Sequence, residues 1–215
     1  MTGIYANSIK DKTGTRQLAS DSGSAWNWGS GLPSGSIVQV QYSQTITTAS
    51  MYPVDANTNY VLQDGSPSTS ASTTGILQVN ITPKITGSKM WLQVSWFGEM
   101  GNAVATNMMW LIYRDTTILR APEDQDRTRG ITGSSLSYYD ANADSTPEMV
   151  SFQYFDTHGQ SQSDVNSGTQ ITYKLGLIQS VGNLQQITTN RTINDSNSNG
   201  YERGVSSICA IELAP

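Results

Sequence analysis

The chain reads as an all-β protein: a jelly-roll-like two-sheet β-sandwich with an extended N-terminal arm. Three observations predict this. Apolar and polar residues alternate in run after run, the two-residue period of a strand. No apolar period of 3.6 residues is sustained over a helical length. The runs are separated by stretches rich in Gly, Ser, Asn, Asp and Pro, the residues of turns. About eight to ten strands with long polar loops fit two packed sheets. An immunoglobulin-like sandwich ranks second, being shorter and built on a Cys–Trp–Cys core that this chain lacks. A closed up-and-down barrel ranks third. Without a repeat of roughly 20–50 residues, propellers and parallel β-helices are excluded.

Residues 1–34 stand apart as an arm. Ile4 to Arg16 gives at most one short strand before a Gly turn, and Ala19 to Pro33 is mostly Ser, Gly, Asp and Asn. Trp26 and Trp28 in such a stretch are costly to leave in water. With Ile4 and Tyr5 they are the expected docking residues of the arm.

The knob runs from residue 35 to residue 215. Val38, Val40 and Tyr42 alternate with polar neighbours; a Ser/Thr-rich loop then precedes Leu77, Val79 and Ile81, which Pro83 stops. From Lys89 to Phe97, Met90, Leu92, Val94 and Trp96 share one face, while Trp91 and Phe97 mark the other as covered too. Met108 to Tyr113 is apolar almost throughout, as in a strand buried on both sides. Thr116 to Arg120, the run holding Val150, Phe152 and Tyr154, Ile171 to Leu177, Leu184 to Thr189 and Val205 to Leu213 complete the set. Apolar rows on both faces of two strands are what burial between subunits would require.

Composition narrows the function. Charged residues are 13% of the 215 positions, roughly half the usual share, so Ser, Thr, Asn and Gln must supply the polar surface. A formal net charge of −5 with scattered arginines excludes a general nucleic-acid binder. Arg127 and Arg129 are close, but Glu123, Asp124 and Asp126 precede them. No apolar run reaches membrane-spanning length, so no membrane insertion is expected. The start Met1-Thr-Gly-Ile-Tyr-Ala-Asn has neither the basic start nor the apolar core of a signal peptide. A single cysteine, Cys209, forbids an intrachain disulfide; its alternating strand makes it a small core residue. Assembly in a reducing cytoplasm is the expectation.

Motifs for chemistry are sparse. His158 is the only histidine, and Asp156-Thr-His-Gly159 reads as a strand-ending turn with the ring in solvent. Asp195, Asn197 and Asn199, followed by Gly200, match the first half of a calcium loop. The twelfth position, Ser206, is not the bidentate Glu, so a polar hairpin is preferred and no metal is expected. Asp140, Asn142 and Asp144 fail in the same way. Glu99, Glu123, Asp124, Asp126 and Glu148 supply carboxylates for sugar hydrolysis, but no spacing pairs any two. Tyr138, Tyr139 and Tyr201 are candidates to stack on a sugar ring. No catalytic residue or cofactor site is expected.

Taken together, several phrases carry a resemblance. They are Asn7-Ser-Ile-Lys-Asp-Lys-Thr-Gly-Thr-Arg16, Gly35-Ser-Ile-Val-Gln-Val40, Gly75-Ile-Leu-Gln-Val-Asn-Ile-Thr-Pro-Lys84, Ser88-Lys-Met-Trp-Leu-Gln-Val94, Thr172-Tyr-Lys-Leu175 and Ser207-Ile-Cys-Ala-Ile-Glu-Leu213. This rhythm resembles the small tail-fibre-like and capsid-decoration structural proteins of tailed bacteriophages, of the marine and cyanobacterial type. It covers most of the chain from Gly35 onward. The resemblance implies a non-enzymatic virion surface protein, a homotrimeric knob held by its arm to a major capsid protein or tail component. Such a protein assembles in the host cytoplasm and contributes no catalytic residues. The chain departs from the fibre pattern in having no shaft, which favours capsid decoration over a fibre tip. The alternatives are a tip that contacts a host glycan or receptor through residues 58–74, 120–146 and 194–203, and a carbohydrate-binding lectin.

Overall fold

The computed structural model describes residues 8–10, 17–21, 25–27, 32–53, 55–101, 108–123, 126–133, 145–180 and 186–215. In chain order the strands are β1 (Ser8–Lys10), β2 (Gln17–Asp21), β3 (Ala25–Asn27), β4 (Ile37–Thr45), β5 (Ala49–Met51), β6 (Asn59–Val61), β7 (Gln78–Ile81) and β8 (Lys89–Met100). They continue as β9 (Met108–Arg114), β10 (Thr117–Leu119), β11 (Thr132–Gly133), β12 (Glu148–Asp156), β13 (Ile171–Gln179), β14 (Ile187–Thr189) and β15 (Ser206–Leu213). One short helix, α1 (Gln162–Ser167), has Ser161 as its N-cap in a capping box with Asp164, and ends at Gly168 in the left-handed conformation.

The body is an all-β two-sheet sandwich. The front sheet runs β4-β15-β8-β14-β5, with β12 added along β8; the back sheet runs β10-β9-β13-β6, with β11 on β9 and β7 on β13. It is jelly-roll-like in that successive long strands cross between sheets: β8 front, β9 back, β12 front, β13 back, β15 front. Every pairing in the two sheets is antiparallel.

The core lies between the sheets. Met90, Leu92, Val94 and Trp96 of β8 face Trp110 and Ile112 of β9 and Tyr173, Leu175 and Leu177 of β13. Trp96 and Trp110 meet with ring centroids 4.7 Å apart. An ion pair crosses the sandwich. Asp156 at the end of β12 accepts two hydrogen bonds from Arg114 of β9, at 2.8 and 3.0 Å, and a third from the Tyr173 hydroxyl of β13 at 2.8 Å. Burial first, then the Asp156 charge, pushes the Tyr173 hydroxyl far above the usual tyrosine range.

β8 is the hub. β12 follows one of its sides, and β15 and then β14 follow the other, so Gly98 faces Glu148 on one side and Thr189 on the other. A side chain at Gly98 would meet the Thr188 carbonyl oxygen at 1.9 Å and the Trp96 ring at 2.4 Å, so only glycine fits.

Three expectations change. Among the described residues there are fifteen strands, more than the eight to ten expected, because strands of two or three residues are too short to show a period. The arm, expected to hold at most one short strand, contains three, β1, β2 and β3, paired in a sheet of their own. Finally, both faces of β9 are covered within the chain rather than between subunits. Behind the back sheet, Val61, Leu111, Tyr113 and Ile178 form a second buried cluster against Ala71, Met109 and Ile118. Lys174 holds that cover down by donating to the Ala71 and Thr73 carbonyls. Burial there pushes the Tyr113 hydroxyl up to about 12.

Candidate functional site

Acid–base chemistry, where a protein has it, resides in buried ionisable groups. His158 is 6% exposed, not the solvent-facing turn residue expected. Its Nδ1 accepts a hydrogen bond from the Gln160 backbone N–H at 3.1 Å. The Ser88 hydroxyl, itself buried, gives its proton to Glu212 Oε1 at 2.7 Å. Ser88 Oγ can therefore only accept from the ring, and His158 Nε2, 3.0 Å away, carries the proton and donates. A nucleophilic serine needs the reverse, a histidine that accepts from serine and is oriented by an acid at Nδ1. The triplet is a proton-donor chain ending on a carboxylate. Burial holds His158 below the usual histidine pKa, against the opposing Asp156 and Glu212 charges.

Glu212, fully buried on β15, also accepts from the backbone N–H groups of Lys84 and Ile85, at 2.9 Å each, and from Gln39. It locks the β7–β8 connection onto the front sheet. Glu99 does the same elsewhere: it accepts from the Thr146 N–H at 2.9 Å and hydroxyl at 2.8 Å, and from the Ile193 N–H at 2.6 Å. These carboxylates satisfy backbone donors. Of the remaining carboxylate candidates, Glu123 pairs with Arg129 at 3.4 Å, Asp126 is exposed, Glu148 is buried at the start of β12, and Asp124 lies outside the described residues.

The calcium-like loop is occupied by arginine. Asp195 pairs with Arg203 at 2.5 Å and Arg191 at 3.7 Å, so its charge is already answered. Asn197 and Asn199 are exposed. Among the described residues, no three His, Cys, Asp or Glu side chains gather as metal ligands. Tyr201 accepts from Asn194 at 2.8 Å and serves the hairpin. Ile4, Tyr5, Trp28, Tyr138, Tyr139, Asp140, Asn142 and Asp144 lie outside the described residues, and Trp26 is described only as a backbone position of β3.

What remains is the outer face of the front sheet. Strand register sets its side chains in rows across β4, β15, β8 and β12. One row is Val40, Ile211, Trp91 and Phe155; the next is Tyr42, Cys209, Gln93 and Gln153; then come Gln44, Ser207, Ser95 and Ser151. Phe97 and Met149 begin the last row, with Val205 just ahead of β15. Of eight exposed large hydrophobics among the described residues, six belong here: Ile37, Val40, Tyr42, Met149, Phe155 and Val205. Trp91 and Phe155 stack, centroids 5.7 Å apart and planes within 11°. The Phe97 ring lies against Gly204, where a side chain would meet it at 2.2 Å. Between the apolar rows lies a depression of about 540 Å³, its floor formed by the Gln/Ser band with Tyr42 and Cys209.

Cys209 is thus on the outer face and half-buried, not in the core. The row alternating with it, Ser206, Ile208, Ala210 and Glu212, is the buried one. A charged residue in the inward row hid this, because Glu212 is paid for by backbone donors rather than by water. The Trp91–Phe97 face, expected to be covered, is left open by the described residues.

Compared with known proteins, the chain matches no protein-family model and no curated protein.

Proposed function

We propose that this chain is a non-enzymatic structural protein of a virus-particle surface: a homotrimeric knob of residues 35–215, attached to the particle by residues 1–34 and decorating or cementing its capsid. One observation carries the reading. The prominent surface is an uncharged, open sheet face, while Glu99, Glu212, Asp156 and His158 are spent on holding strands and loops together. Contiguous apolar surface of this kind marks association. A polar surface with little charge suits a protein that faces the medium. A fibre tip or a lectin would work through the loops instead. Of the candidate loops, residues 58–74 pack Ala71 against the back sheet and are tied to it by Lys174, and residues 194–203 are cross-braced by Asp195.

Immunogold electron microscopy of intact particles, with antibody raised against residues 35–215, tests the assignment. Label spread over an icosahedral head is the expected result. Label only at a tail end would move the protein to adsorption. No label on any particle would overturn the virion reading.

A further inference from the structure

We infer that the outer face of β4-β15-β8-β12 is the surface through which copies of this chain associate. The inference rests on the structural-protein reading above; a face that pairs with itself does so about a twofold axis, so this contact joins two copies and is separate from the one that closes the trimer.

The strongest evidence is β4, whose alternation is inverted with respect to its own core. Its register with β15 places Gln39, Gln41 and Ser43 on the side of the buried Glu212, Ala210 and Ile208. Val40 and Tyr42 point the other way, 51% and 59% exposed. A half-buried antiparallel strand normally turns its apolar row inward and its polar row to water. β4 does the opposite, so its apolar row is matched to something that the described residues of one chain do not supply. On β12, Met149 and Phe155 extend the same surface at 55% and 57% exposure.

The size fits a subunit contact. Four strands about 4.8 Å apart and roughly nine residues long present about 600 Å² in projection, the scale of one side of a standard protein interface.

The chemistry fits a second copy. On this face of the strands the charged side chains are Lys89, exposed at one corner, and Glu99, buried beyond Phe97 at the other end where the Thr146 and Ile193 N–H groups cover it. A charged partner surface would lose its hydration here without gaining an opposite charge. The face is banded, apolar then Gln/Ser then apolar, so a copy can lay apolar rows on apolar rows. Gln and Ser both donate and accept, and the polar band can therefore pair with itself. A neutral sugar would use the same hydrogen-bonding groups but would stack on aromatic rings, of which Tyr42 alone stands exposed beside the polar band outside the Trp91–Phe155 stack. Trp91 and Phe155 turn ring faces toward each other, and the Trp91 Nε1 proton is given to Gln153 at 3.0 Å.

The test is analytical ultracentrifugation of the full chain beside a Val40→Glu/Phe155→Glu double variant and a separate Tyr42→Arg variant. All three positions are more than half exposed, so folding should survive, and circular dichroism checks that it does. Cys209 provides a second readout, because it stands in the middle of the face and its reaction with a thiol reagent reports whether that face is covered. The expected result is concentration-dependent assembly of the 23.3-kDa wild-type chain with a slowly reacting Cys209. The folded variants should associate at least about tenfold more weakly and react faster, because a charge would be buried unpaired. Assembly unchanged in both variants would overturn the inference while leaving self-assembly to another surface. A wild type that stays monomeric at several hundred micromolar would overturn it too. A monomer whose Cys209 is protected from the thiol reagent by neutral oligosaccharides would give the face to a sugar. The particle assignment fails separately, on the immunogold result.

Discussion

His158 shows how one residue can carry a pH dependence without taking part in chemistry. Its ring is buried, accepts from Gln160 at Nδ1 and donates to Ser88 at Nε2, an arrangement that needs the neutral form. Protonating it would put a second proton on Nδ1, opposite the Gln160 N–H. Burial lowers its folded-state pKa, whereas in the unfolded chain it titrates near about 6.5. The unfolded state therefore binds more protons as the solution becomes acidic, and stability falls with pH. The full effect develops as pH drops from the unfolded pKa through the lowered folded one. We expect the melting temperature to fall between about pH 7.5 and pH 5, and to fall less steeply in His158→Gln. Differential scanning calorimetry of both proteins measures the two slopes. Equal slopes would mean that another group sets the acid limit.

At the scale of elements, the β7–β8 connection is held by one side chain from the far end of the chain. Glu212 accepts the N–H groups of Lys84 and Ile85, the Ser88 hydroxyl and the Gln39 amide. Glu212→Ala would strand these donors in a buried place, at a cost of about 3 kcal/mol or more. Hydrogen exchange should show it locally: the Lys84 and Ile85 amides should lose protection while the amides of β9 and β13 keep theirs. Unchanged protection at Lys84 and Ile85 would remove Glu212 from this role. The same residue explains how far the sequence could be read. The two-residue period located β8, β12, β13 and β15, because each is long enough for several alternations. A period separates two rows without saying which one faces the core. On β15 the inward row contains Glu212 and the outward row Ile211 and Leu213, so polarity alone favours the wrong side. On β4 the apolar row is outward for the same reason that it matters. The open face was therefore visible only as Trp91 and Phe97 on the second side of β8. Its other members, Val40, Tyr42, Met149 and Phe155, needed the register. The short strands β5, β6 and β11 left no pattern to find, whereas β10 and β14 lie inside the runs Thr116–Arg120 and Leu184–Thr189.

At the scale of the whole molecule, charge and the open face act in opposite directions on assembly. Each copy carries a formal net charge of −5, with a sequence pI near 4.7, so copies at neutral pH repel one another. The contact face adds little to offset that repulsion, since Lys89 is its only exposed charged side chain and Glu99 is buried at its far end. What draws copies together there is apolar burial with Gln/Ser pairing, and salt does not screen either. Salt does screen the general repulsion, over a Debye length that shrinks from about 30 Å at 0.01 M to about 3 Å at 1 M. Association should therefore strengthen as sodium chloride rises from low millimolar to about 0.5 M. An interface built on ion pairs would weaken over the same range. Sedimentation velocity at fixed protein concentration across that salt series separates the two. A rising weight-average sedimentation coefficient fits the neutral face. A fall would assign assembly to charged groups elsewhere, such as the Arg191–Asp195–Arg203 hairpin, whose ion pairs already lie at the surface.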